Sequence, residues 1–221
     1  MAVLLPDLKS EQTCDALSIE LTDSVVHRFF TNTEVRSLLT RENVMPVGRP
    51  YDSISTQHIE DATMLLPVVK QAQCYKSNEG VVHLLITQRK PVLRVMSDEN
   101  YYVCSDREVL YATFRTACYV PVVTGRVTKQ MAQTELYDFV VWLSNNNYWN
   151  EQIQQINVTA QRQIELIPRQ GTHTIRLGTI DGYEHKLKKL QTFYEQAFHQ
   201  MGWVAYRELD ISYNGQVIGR K

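Results

Sequence analysis

The feature that most constrains this chain is a switch of hydrophobic period before Pro91, from two to a helical spacing and back to two. Leu17, Ile19 and Leu21 alternate with Ser18, Glu20 and Thr22, the pattern of a half-buried strand. Next comes Phe30-Thr31-Asn32-Thr33-Glu34-Val35. Thr31 with Glu34 three residues on reads as a capping box, and Phe30 with Val35 as the hydrophobic staple around it. Val35, Leu38 and Leu39 then sit at helical spacing, and Pro46-Val47-Gly48-Arg49-Pro50 ends the helix. A second helix fits Thr56 to Leu66, with Ile59, Ala62, Thr63 and Leu66 on one side and Pro67 after it. Gln71–Lys76 and Val81–Gln88 read as strands joined by the turn Ser77-Asn78-Glu79-Gly80. The order β-α-α-β-β is that of a small α+β unit.

A junction is expected at Pro91. Beyond it the spacing predicts strands over Val92–Met96, Tyr101–Cys104, Val109–Ala112 and Tyr119–Thr124. Lys129–Asn145 reads as a helix through Leu136, Phe139, Val140 and Leu143. Strands follow over Gln152–Val158, Gln163–Ile167 and Thr174–Gly178. Tyr183–Gln200 reads as the last helix, with Leu187, Leu190, Tyr194, Ala197 and Met201 inside and Gly202 at its cap. Tyr206–Tyr213 alternates, with Leu209, Ile211 and Tyr213 on one side. Asn214-Gly215, a strong hairpin signal, is expected to turn it into a final strand, Gln216–Arg220.

The residues argue against most chemistry. Net charge is −1, without the basic face a nucleic-acid binder needs. The six histidines, His27, His58, His83, His173, His185 and His199, show no metal-ligand spacing. Cys14, Cys74, Cys104 and Cys118 include no CxxC pair, and nothing places a base beside Cys104 or Cys118. Free thiols are the expectation, although an even count permits disulfides. No G-x-S-x-G elbow is present. Glu60 with Asp61, and the lysines from Lys186 to Lys189, read as solvated helix faces. Tyr148 and Trp149 read as packing at a helix end. Met1–Leu5 is apolar but short, and Pro6 ends it, so neither a membrane span nor a complete signal peptide is read.

At this point the motifs resemble a family. The β-α-α-β-β unit resembles a POTRA domain. Gln88-Arg89-Lys90-Pro91-Val92-Leu93-Arg94 is similar to the segment where FtsQ/DivIB proteins pass from POTRA to β-domain. Tyr101-Tyr102-Val103-Cys104 resembles the family's following hairpin, and Val120-Pro121-Val122-Val123-Thr124-Gly125 its "LPxxxG" strand. Leu166–Gly178, with Gly171 and Gly178, resembles a later hairpin. Glu184-His185-Lys186-Leu187 resembles the start of its late helix. Leu209-Asp210-Ile211-Ser212-Tyr213 resembles its terminal strand. Two positions depart from the pattern. Cys104 stands where the family usually has Asp, and Arg107 where it has Gly, so that turn is expected to be built differently.

The resemblance implies an α+β protein: residues 1–15 a juxtamembrane tether, 16–90 a POTRA-like domain, 91–221 a mixed β-domain with two helices packed on a sheet. It implies a cytoplasmic tail and one membrane-spanning helix upstream, and a place on the periplasmic face of the inner membrane at the division site. It implies a non-catalytic divisome scaffold that needs no cofactor, recruits FtsB and FtsL and helps control septal peptidoglycan synthesis. The expected docking residues are Tyr213, Gln216, Val217, Ile218 and Gly219, at a sheet edge that a partner strand extends. Two rival readings stand beside it. One is a POTRA-bearing envelope protein for polypeptide export or outer-membrane assembly. The other is an envelope enzyme using Cys or Glu.

Overall fold

The structure is a computed structural model and describes residues 12–22, 29–111, 118–198 and 206–221. The chain divides into two compact units, the first running to Arg89 and the second beginning at Lys90.

The first unit is the α+β module expected from the sequence. Its elements are β1 (Ala16–Leu21), α1 (Asn32–Arg41), α2 (Thr56–Thr63), β2 (Val69–Lys76) and β3 (Val81–Gln88). The three strands are ordered β1-β3-β2. The central β3 pairs parallel with β1 and antiparallel with β2. The turn between β2 and β3 places Gly80 at φ 76°, a conformation that favours glycine. The capping box is formed. Thr31 Oγ1 accepts the Glu34 N–H at 3.2 Å, and Glu34 Oε2 accepts the Thr31 N–H at 2.7 Å. Phe30, Val35, Leu38, Leu39 and Ile59 join Leu17, Val82, Leu84 and Ile86 in the buried core. An isolated antiparallel bridge between Thr13 and Pro50 ties part of the segment read as tether to the loop after α1.

The second unit is a nine-stranded mixed sheet. Along the chain come β4 (Pro91–Met96), β5 (Asn100–Cys104), β6 (Val109–Tyr111), β7 (Val122–Gly125), β8 (Ile153–Val158), β9 (Ile164–Pro168), β10 (Thr174–Gly178), β11 (Glu208–Asp210) and β12 (Ile218–Arg220). Across the sheet the order is β12-β11-β10-β9-β8-β7-β4-β5-β6. Helices α3 (Lys129–Gln133), α4 (Glu135–Asn145), α5 (Asn147–Gln152) and α6 (Tyr183–Phe193) cover the sheet. Leu136, Phe139, Val140, Leu143, Leu187 and Leu190 bury against Val123, Ile156, Leu166, Ile175 and Leu209.

Several sequence expectations are corrected here. The helix read as continuous over Lys129–Asn145 breaks at Thr134, whose backbone takes φ −117°, ψ −100°. The Thr134 hydroxyl donates to the Gln130 carbonyl at 2.8 Å, the back-bonding by which threonine competes with helix continuity. Asn146 is therefore less a stop than a start. Its side chain accepts the N–H groups of Tyr148 and Trp149 and caps α5, which buries Trp149. The last helix leaves α geometry after Phe193 and widens into a π turn over Tyr194–Phe198. His27, Ala112, the side chain of Ala197, His199, Met201 and Gly202 lie outside the described residues.

The turn at Arg107 is also settled. Arg107 itself takes the left-handed conformation, φ 63°, that a glycine would take there. Its guanidinium offsets the strain. It stacks 4.2 Å from the Tyr137 ring, donates to the Gln133 carbonyl at 2.7 Å and pairs with Asp138 at 2.5 Å. The turn keeps a glycine-like backbone and gains a side-chain clip onto α3 and α4.

Candidate functional site

The C-terminal segment is where the structure departs most from the simplest sequence reading. The strand expected over Tyr206–Tyr213 is only Glu208–Asp210, and that expected over Gln216–Arg220 is only Ile218–Arg220. The register pairs Glu208 with Arg220, Leu209 with Gly219 and Asp210 with Ile218. The connection is thus a long loop over Ile211–Val217, and Asn214-Gly215 forms no two-residue hairpin. Of the expected docking residues, Ile218 and Gly219 lie in β12. Gln216 and Val217 precede it, and Tyr213 sits in the loop, 52% exposed and not on the inner side with Leu209 and Ile211.

Asp210 explains why the strand stops. Its side chain is buried, and Oδ1 accepts both the N–H of Ser212 at 3.0 Å and its hydroxyl at 2.6 Å. A carboxylate that takes a backbone N–H two residues on folds the chain away from a ladder. Ile211 still donates its N–H to the Arg176 carbonyl at 2.9 Å, after which the segment leaves the sheet. The Lys189 ammonium, from α6, then collects the carbonyls of Ile211, at 3.1 Å, and Tyr213. Burial pushes the Lys189 pKa down, and neighbouring Lys186 pushes the same way, while Asp210 opposes them. Lys189 is therefore a clamp on the loop, not part of a solvated face.

Among the described residues β12 is an edge strand, paired on one side with β11. The direction of its backbone groups follows from one bond. Arg207 donates its N–H to the Arg220 carbonyl at 2.8 Å. Arg220 therefore turns its backbone groups toward β11, and by alternation Ile218 does the same. Gly219 turns its N–H and C=O outward. Gly219 is also where Tyr206 lies across the strand. A Cβ there would come within 2.4 Å of the ring. Tyr206 packs on Phe193 with centroids 6.2 Å apart, which ties the edge to α6. Tyr206 and Lys189 are the residues that sequence reasoning missed. Their roles depend on which element lies opposite, and no periodicity announces that.

The remaining candidates for chemistry stay apart. None of the four cysteines is paired in a disulfide. Burial and the Glu60 carboxylate push the Cys74 thiol up to about 12, and burial pushes Cys118 up as well. Neither is a poised thiolate. Cys104 is buried at the end of β5. No group of His, Cys, Asp and Glu among the described residues is placed to hold a metal ion, and none of their helices is long and apolar enough to cross a membrane. His173 is buried with Nε2 2.7 Å from the Tyr194 hydroxyl, inside the core of the second unit.

Comparison with known proteins gives two matches. A family model described as FtsQ/DivIB, C-terminal related, covers residues 90–220. A POTRA-like domain model covers residues 12–87. Among curated proteins, none matches the sequence.

Proposed function

The chain belongs to the FtsQ/DivIB family through its C-terminal-related domain, with a POTRA-like domain before it, and from that premise we propose that it is a non-catalytic scaffold of the divisome. In this reading it works at the division site, on the periplasmic face of the inner membrane. It receives a short extended segment of an FtsB-type partner, itself paired with an FtsL-type protein, and so helps control septal peptidoglycan synthesis. The incoming segment adds a strand to β12. Main-chain hydrogen bonds to Gly219 supply affinity, and alternating side chains set the register.

One observation carries the reading: among the described residues, β12 closes the nine-stranded sheet at its C-terminal end with a partner on one side only. An unpaired edge is a hazard unless it is used or blunted. Here the loop leading to it is pinned by Lys189 at the carbonyls of Ile211 and Tyr213, and the Tyr213 side chain stays exposed. An exposed tyrosine in the loop that leads into an edge strand suits a hot-spot anchor.

The test is calorimetry of the chain with the extracytoplasmic segment of an FtsB-type protein, with hydrogen exchange on the complex. Strand addition predicts one-to-one binding and slowed exchange at the Gly219 amide. Binding that leaves that amide unprotected, or no binding at all, would overturn the reading.

A further inference from the structure

Among the described residues the sheet of the first unit has edges at β1 and β2, and an ionisable side chain from a covering helix reaches each of them. On β2, Ser77 donates its N–H to the Val81 carbonyl at 2.9 Å, just past the strand end. Odd-numbered residues of this stretch therefore face β3, and Ala72, Cys74 and Lys76 turn their backbone groups to the open side. Glu60, from α2, places Oε1 2.6 Å from the Cys74 nitrogen and accepts that outward N–H. On β1, Arg36, from α1, donates to the Leu17 carbonyl at 2.5 Å. The start of β1 is covered further by residues 48–51. Gly48 donates to Cys14 at 2.8 Å, Cys14 to Arg49 at 2.9 Å and Tyr51 to Gln12 at 2.7 Å.

An acceptor at an outward N–H on one edge and a donor at a carbonyl on the other is how an open three-stranded sheet is kept from pairing with further strands. Glu60 is half-buried, so its carboxylate stands in the path of an incoming strand rather than swinging free. An added strand would have to displace it and present its own carbonyl to Cys74.

We infer that Glu60 is an edge guard, which closes β2 to strand addition and whose loss opens that edge to a second copy of this chain. The second copy is the occupant because β2 is self-complementary. Two β2 strands set antiparallel about a two-fold axis near Cys74 exchange the same outward groups in both directions. Tyr75, 48% exposed at this edge, adds apolar surface to such a pair. The inference concerns the first unit alone and does not depend on docking at β12.

The experiment uses the full chain and four proteins: wild type, Glu60→Ala, Glu60→Gln, and Glu60→Ala with Ala72→Pro. At a concentration where sedimentation shows each protein monomeric, exchange at the Cys74 amide should be about tenfold faster or more in Glu60→Ala, with Tyr75 and Ser77 unchanged. On concentration, sedimentation should show Glu60→Ala forming dimers. Glu60→Gln keeps an acceptor oxygen and should resemble wild type. Ala72→Pro removes an outward N–H that has no place in the internal ladder, so it should abolish dimers and leave the fold intact. Unchanged exchange at Cys74 in Glu60→Ala would overturn the guard. Dimers that persist with Ala72→Pro, or a Glu60→Ala chain that stays monomeric, would overturn the self-pairing.

Discussion

The ammonium of Lys189 donates to the carbonyl of Ile211 at 3.1 Å, and through it α6 holds the loop that leads into the edge strand. Lys189→Met keeps the stem and removes the donor. Melting should fall by a few degrees, consistent with a net loss of about 1 kcal/mol for such a bond. Partner binding should weaken by more than the change in stability explains, because Tyr213 is no longer placed. Equal binding by wild type and Lys189→Met would show that the loop is not presented by this clamp.

Tyr213 is the exposed aromatic nearest in sequence to that edge. Tyr213→Ala should leave the melting temperature unchanged and weaken an FtsB-type segment by roughly 1–3 kcal/mol, as expected for a hot-spot anchor. Calorimetry beside a melting curve separates the two effects.

Proline distinguishes the two sides of β12. At Ile218 it removes an N–H that faces β11, so Ile218→Pro should lower stability along with binding. Val217 comes one residue before the paired stretch of β12, and Val217→Pro should abolish binding at a smaller cost in stability than Ile218→Pro. If both variants bind normally, the segment docks elsewhere.

Gly219 is required for space. Gly219→Ala puts a methyl group into the Tyr206 ring, with a 2.4 Å approach to relieve. Destabilisation of about 1–3 kcal/mol is expected. Tyr206→Ala alone loses its packing on Phe193, but in that background Gly219→Ala should cost almost nothing. A double-mutant cycle in urea measures the coupling.

His173 gives the second unit a pH dependence. Burial lowers its pKa from the ordinary value of 6.5, so the folded state resists protonation. At neutral and higher pH the ring is neutral in both states and takes nothing from stability. As pH falls through about 6.5, the unfolded chain binds a proton that the folded chain refuses, and stability drops, by at most about 1.4 kcal/mol per pH unit for one site. Urea unfolding at stepped pH, with imidazole NMR of His173, checks both the slope and its source.

Much of the fold was legible because it is written in local rules. Thr31 and Glu34 announce a helix start with two hydrogen bonds that need no tertiary partner, and the structure forms both. The alternation of Leu17 and Ile19 with Ser18 and Glu20 names the buried face of β1 whatever covers it. The Thr134 break was not legible, because a threonine inside an apolar helical pattern is ordinary until its backbone is seen to turn.

By itself the sequence determined the periodicities, the caps, the order of elements and the change of pattern at Pro91, since each follows from the intrinsic geometry of a few neighbouring residues. Only the tertiary structure decided the edge. Asn214-Gly215 favours a tight hairpin, but Asp210 draws Ser212 back, and Lys189 pulls Ile211 and Tyr213 toward α6. These contacts join residues more than twenty positions apart with ones two positions apart, and together they outweigh the turn preference of a single dipeptide. The charges of Glu60 and Lys189 likewise looked like solvated faces, because a helix wheel shows which side a residue lies on and never which strand's backbone waits within reach of it.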